Sequence, residues 1–165
     1  MMTDRPKIWV PGDPMPPEVE RFRFFNWITD TIAITSYEAA SDRDILDLEG
    51  VKYVISIGEL SPPQSVIGRK PIHFRYIEDC TSDIDGGDIS DCVDAILSHS
   101  KAAKTLVHCA AGVSRSPGFV TLALCLDKGW DWDQSLAYVV ERRDVAKVHP
   151  LVQSRLKEWL ADRRR

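Results

Sequence analysis

The chain has 165 residues, 44% of them hydrophobic and 28% charged, with a formal net charge of −4. That length supports one buried core rather than two of ordinary size, and the composition is far from disordered or fibrous classes. The acidic balance argues against a nucleic-acid footprint, which needs clustered Lys and Arg.

"VPGDPMPP" (10–17) carries four prolines in eight residues and predicts an extended lead-in over residues 1–20, with the folded domain spanning 21–165. "RFRFFNWI" and "TIAIT" predict two short strands separated by Thr29 and Asp30, and "SYEAASDRDILDLEG" a helix ending at Gly50. "VKYVISI" (51–57) is the next strand; "GELSPPQSVIGRKP" is a loop, and "IHFRYI" (72–77) a further strand. The acidic, glycine-containing "EDCTSDIDGGD" follows as a second loop. From Asp88 the pattern is helical, with Ile89, Val93, Ile96 and Leu97 on one side. The strand "KTLVH" comes next, then the loop "HCAAGVSRSPG", a helix stopped by Gly129, and helices near 132–143 and 150–163. Alternating strands and helices predict an α/β layered domain with the 104–108 strand central. Ligand sites in such sheets lie beyond the carboxyl ends of the strands.

The four cysteines, Cys80, Cys92, Cys109 and Cys125, form no CxxC pair and no zinc spacing, so free thiols and neither metal nor cofactor are expected. With no apolar leader and no apolar stretch of membrane-spanning length, the expectation is a cytoplasmic monomer with no membrane or nucleic-acid partner.

The loop after the central strand carries the chemistry. A turn of small residues between a strand and a helix N-terminus can point successive backbone N–H groups inward as an anion nest. Ala110, Ala111, Gly112, Val113 and Ser114 would supply it, Gly112 contributing backbone angles closed to other residues. Arg115 can hold two phosphate oxygens with its planar fork. Cys109 would lie at the floor, where the N–H groups and the helix dipole favour its thiolate as a nucleophile. His108 is expected to turn into the core and fix the loop through a ring hydrogen bond; the Ser116 hydroxyl is placed to hydrogen-bond the sulfur.

"HCAAGVSRS" resembles the HC-x5-R-S signature loop of the cysteine-based protein tyrosine phosphatases, the dual-specificity branch most of all. A shuffled chain of this composition would match HC-x5-R only about 0.008 times. The similarity extends to the opening strand, helix and second strand in "TIAITSYEAASDRDILDLEGVKYVISI" and covers about residues 25–162. It implies a phosphotyrosine-phosphatase-like α/β fold, with a central mixed sheet of four to five strands flanked by helices. It also implies a metal-independent hydrolase of phosphorylated proteins. In the family an upstream aspartic acid protonates the leaving oxygen and later activates water. The matching "YIEDC" makes Asp79 that acid, with Asp83 and Asp85 as rivals. Thr35 stands where relatives often carry glycine. The loop also lacks the lysines that inositol-lipid phosphatases of this kind carry between cysteine and arginine. No long phosphotyrosine-recognition segment is visible upstream, which implies a shallow pocket open to phosphoserine and phosphothreonine.

Other readings remain open at this point. The same loop could serve a non-catalytic phosphoprotein-binding domain, a lipid or RNA phosphatase, or a rhodanese-like sulfur transferase. Cys80, beside the candidate acid, could form a disulfide with Cys109 under oxidation. Cys92 and Cys125 fall in helix patterns as core residues, and Trp130, Trp132 and Trp159 are expected to pack helices. "DIDGGDISDCVD" lacks the glycine position and closing glutamate of a calcium loop, leaving a loop and a helix cap.

Overall fold

The computed structural model describes residues 25–165; the proline-rich lead-in and the start of the first expected strand lie outside them. The elements run β1 (Phe25–Trp27), β2 (Ile32–Thr35), α1 (Tyr37–Ala40), α2 (Arg43–Glu49), β3 (Tyr53–Gly58), α3 (Gln64–Ile67), β4 (Ile72–Tyr76), α4 (Gly86–Ala102), β5 (Thr105–His108), α5 (Arg115–Lys128), α6 (Trp132–Arg142) and α7 (Pro150–Arg163). One mixed sheet has the strand order β1-β2-β5-β3-β4, with β1 antiparallel to β2 and the rest parallel. β5 is central, as its run of apolar residues predicts, and all four of its residues are buried.

Successive side chains on a strand point to opposite faces, and the core divides accordingly. Val107 joins Ile34, Ile55 and Ile57 beneath α4, α5 and α7, while Leu106 joins Ala33 and Val54 beneath Ala40, Leu46 and Ile67 of the short helices. Eleven of the fourteen residues of α5 are buried, so this helix lies inside the domain. Phe119 on it is fully covered; truncation to alanine would cost about 3–5 kcal/mol. Trp132 and Trp159 are buried in the same core, and Trp130 packs on Tyr138, so these aromatics hold helices together. Among the described residues no helix is long and apolar enough to cross a membrane.

Local chemistry moves three boundaries from where the pattern put them. The single helix expected over 36–50 is two: Asp42 has extended backbone, and its carboxylate accepts from the Asp44 and Ile45 N–H groups, starting a second helix after Ser41. A short helix, α3, interrupts the 58–71 loop after Pro63. α4 starts at Gly86 rather than Asp88, because Asp85 caps Gly87 and Asp88. The parallel register sets Thr35, Ser56 and His108 side by side. The segments leaving β2, β3, β4 and β5 therefore emerge along one edge of the sheet.

Candidate active site

The loop from Cys109 to Ser114 is defined by where its carbonyls go. Cys109 O accepts from His108 Nδ1 (3.0 Å), Ala110 O from Tyr37 N (2.8 Å) and Ala111 O from Arg143 Nη2 (3.2 Å). Gly112 O accepts from Arg143 Nε (2.6 Å) and Val113 O from Lys147 N (2.7 Å). Five consecutive carbonyls are thus turned outward onto surrounding donors. In a trans peptide the N–H opposes the C=O, so the amides of residues 110–114 face the other way, into the loop. Gly112, at φ +70°, makes this turn possible, and a Cβ there would lie 2.6 Å from Thr35 O.

Cys109 is buried at the floor of a cavity of about 450 Å³ that Asp79, Ala110, Val113, Ser114, Arg115 and Lys147 help to line. Its Sγ is 3.2 Å from Ser116 Oγ, which comes from the first turn of α5. His108 is fully buried and does not face the cavity. Its Nδ1–H donates to the Cys109 carbonyl, so Nε2 accepts from Ser56 Oγ at 2.6 Å. Burial drives its pKa down to about 4, with the Arg115 charge adding to the fall and the Cys109 carbonyl opposing it, so the ring is neutral.

Arg115 has its guanidinium lodged against the end of β3, where a Cβ on Gly58 would lie 3.2 Å from Nη1. Nη1 donates to the Glu59 carboxylate and to the Ile77 carbonyl (2.7 Å). Nε is buried with no acceptor among the described residues, a donor that an anion in the cavity would satisfy. Asp79 lines the same cavity and accepts from Ser114 Oγ at 2.8 Å. Of its rivals, Asp85 is committed to capping α4, and Asp83 is exposed and does not line the cavity.

The sequence-nominated residues Cys109, Ala110, Ala111, Val113, Ser114, Arg115 and Asp79 thus meet at one cavity, with Gly112, Ser116 and His108 supporting its wall and floor. Ser114 has a further use, since its hydroxyl also accepts from His149 N (3.0 Å) and so joins Asp79 to the start of α7. Cys80 is an exposed free thiol with φ +60°, while Cys109 is buried and also free. Cys92 and Cys125 are buried in the core, and burial raises both thiols, Cys92 to about 12. Sequence reasoning passed over Glu59, which anchors the arginine, and Arg143, which holds two loop carbonyls and Asn26 Oδ1 (2.8 Å). A full guanidinium at 0% exposure marks Arg143 as structural, but "ERRD" in sequence looks like a solvated helix end.

No protein-family model matches the chain. Tyrosine-protein phosphatase yvh1 of Schizosaccharomyces pombe is 31% identical over 118 residues, covering 70% of this chain and 35% of that protein. Protein phosphatase Slingshot homolog 2 of Homo sapiens is 30% identical over 125 residues, covering 73% of this chain and 8% of that protein. The chain therefore spans about a third of the first and under a tenth of the second. Among solved structures, the human tyrosine phosphatase-like serine/threonine/tyrosine-interacting protein superposes with a TM-score of 0.75 at 21% identity, covering 87% of this chain and 99% of that one. Human DUSP28 superposes with a TM-score of 0.76 at 19% identity, covering 93% and 100%.

Proposed function

Because the signature loop, the fold and the curated relatives all resemble the dual-specificity branch of the cysteine-based protein tyrosine phosphatases, we propose that the chain is a protein phosphatase. Its substrates are phosphotyrosine and phosphoserine or phosphothreonine in proteins, and it works through a phosphocysteine intermediate. One observation carries this reading: five inward amides and the unpartnered Arg115 Nε surround the Cys109 thiol, a cradle for a tetrahedral dianion with a nucleophile at its floor.

In the first step Cys109 Sγ attacks phosphorus; the S–P bond forms as the bond to the substrate's side-chain oxygen breaks. Asp79, held at the cavity by Ser114, gives that oxygen its proton. The three non-bridging oxygens keep their contacts with the loop amides and Arg115 throughout. In the second step Asp79 takes a proton from water, the water oxygen attacks phosphorus, and the S–P bond breaks. The Ser116 hydroxyl, already 3.2 Å from the sulfur, donates to the departing thiolate. His108 is neutral and turned to the core, so it acts by holding the loop rather than by moving protons. The chain acts as a single copy in the cytoplasm, where its thiols stay reduced.

The test is hydrolysis of a small aryl phosphate and of phosphotyrosine and phosphothreonine peptides. Cys109→Ser abolishes turnover and retains binding of the phosphopeptide. A serine variant as active as the parent overturns the nucleophile assignment, and a parent that binds phosphopeptides without hydrolysing any substrate is a binding domain.

A further inference from the structure

Two clefts meet at Cys109, and they differ in charge. The main cavity is lined by Lys147 and the buried Arg115 together with Asp79 and His149. A second cleft, about 190 Å³, shares Cys109 and Ala110 and is walled by Glu38, Glu59, Tyr37 and Leu60. Neither Lys147 nor Glu38 has an ion-pair partner among the described residues, and both are exposed. Glu59 is engaged with Arg115, so Glu38 holds the unspent negative charge on its side.

Both charges are tied to the loop through backbone. Lys147 donates its own N–H to Val113 O, and Glu38 follows Tyr37, whose N–H donates to Ala110 O. Each ionic group is therefore rooted within a residue of a hydrogen bond to the phosphate cradle, Lys147 at Val113 and Glu38 at Ala110.

We propose that Lys147 and Glu38 select the charges flanking the phosphorylated residue, an acidic or second phosphorylated side chain meeting Lys147 and a lysine or arginine meeting Glu38. This rests on the phosphatase reading and adds substrate selectivity to it. An extended peptide crossing Cys109 lays its neighbouring residues along the two clefts, and like charge on either flank is disfavoured there. The preferred phosphosite is charge-asymmetric, acidic on one side and basic on the other.

The test compares kcat/KM for phosphotyrosine peptides with acidic-then-basic, basic-then-acidic, all-acidic, all-basic and neutral flanks. One mixed order exceeds its reverse by about two- to fivefold for each flank, the range of an exposed ion pair, and the preference vanishes near 1 M salt. The doubly exchanged variant Lys147→Glu with Glu38→Lys reverses the favoured order. A thermal melt matching the parent's shows that the exchange acts on recognition and not on the fold. Equal kcat/KM for the two orders, or a preference that the exchange leaves unreversed, overturns the inference and leaves the phosphatase reading standing. If the parent hydrolyses none of the peptides, both fall.

Discussion

Replacing Gly112 with alanine tests the cradle at its tightest point. The residue sits at φ +70°, which costs an L-residue about 1–2 kcal/mol. The added Cβ would lie 2.6 Å from Thr35 O and from Arg143 Nη2, where ordinary contact begins at 3.4 Å. Thr35 belongs to β2, paired on both sides by β1 and β5, so that carbonyl has little room to retreat. Overpacking of this kind adds about 1–3 kcal/mol, and the sum corresponds to a fall in Tm of roughly 5–15 °C. Relief requires the loop to shift by about 0.8 Å, close to the 1 Å misplacement that costs on the order of 100-fold in rate. Gly112→Ala should therefore lose about two orders of magnitude in kcat/KM for an aryl phosphate, and inorganic phosphate should no longer raise its Tm. A variant within threefold of the parent's kcat/KM and with an unchanged Tm would refute the tight turn and the amide ring built on it.

Three further changes probe the supports. Asp79→Asn should lower kcat about 100-fold for a phosphopeptide and less for an aryl phosphate with a good leaving group; equal rates would hand the acid role to Asp83. Arg143→Met strands Gly112 O, Ala111 O and Asn26 Oδ1, and should cost about 3–5 kcal/mol by urea denaturation together with most phosphate affinity. A fully stable variant would show that the buried cation is dispensable. His108, at about 4 in the fold against about 6.5 in an unfolded chain, leaves the unfolded state binding the extra proton between those values. Its contribution is whole above pH 6.5 and drains away as pH falls towards 4, by about 3 kcal/mol. His108→Gln should thus show a shallower loss of stability from pH 7 to 4 than the parent, and identical slopes would contradict a neutral buried ring.

The parts of the site that could be read in advance are those whose chemistry is local. Cys109 and Arg115 are six residues apart on one turn, and the small side chains between them have no better use than exposing backbone. Asp79 was nominated by the resemblance of "YIEDC" to the family's acid loop rather than by local chemistry, with Asp83 and Asp85 as rivals. Ser36 and Asp42 show the limit of pattern reading, since two short helices with separate caps have the same apolar spacing as one long helix. Glu59 and Arg143 were beyond reach for a different reason. Their partners lie 56 and 31 residues away, and a charged side chain in isolation reads as solvated until the fold surrounds it.

The supports of the loop show why it needs so much of the chain. Turning five amides inward next to a guanidinium gathers positive potential around the cavity, and these like-signed groups repel one another. The residues from Ala110 to Val113 carry no side-chain hydrogen-bonding group, so their carbonyls are not held from within, and Ser114 is tied outward through its hydroxyl to Asp79 and His149 N. The restraint comes from outside: the N-terminus of α1 through Tyr37, the neutral His108 on β5, Arg143 just past α6, and Lys147 before α7. Glu59 acts from the other side, offsetting the Arg115 charge while leaving Nε unspent. Each restraint is a donor aimed at a carbonyl or a carboxylate aimed at the arginine, so none occupies the groups that would grip a phosphate. A fold in which those donors instead came from within the loop would close the cradle on itself. The buried charge of Arg143, spent on Gly112 O and Ala111 O, is therefore a structural condition for the open loop.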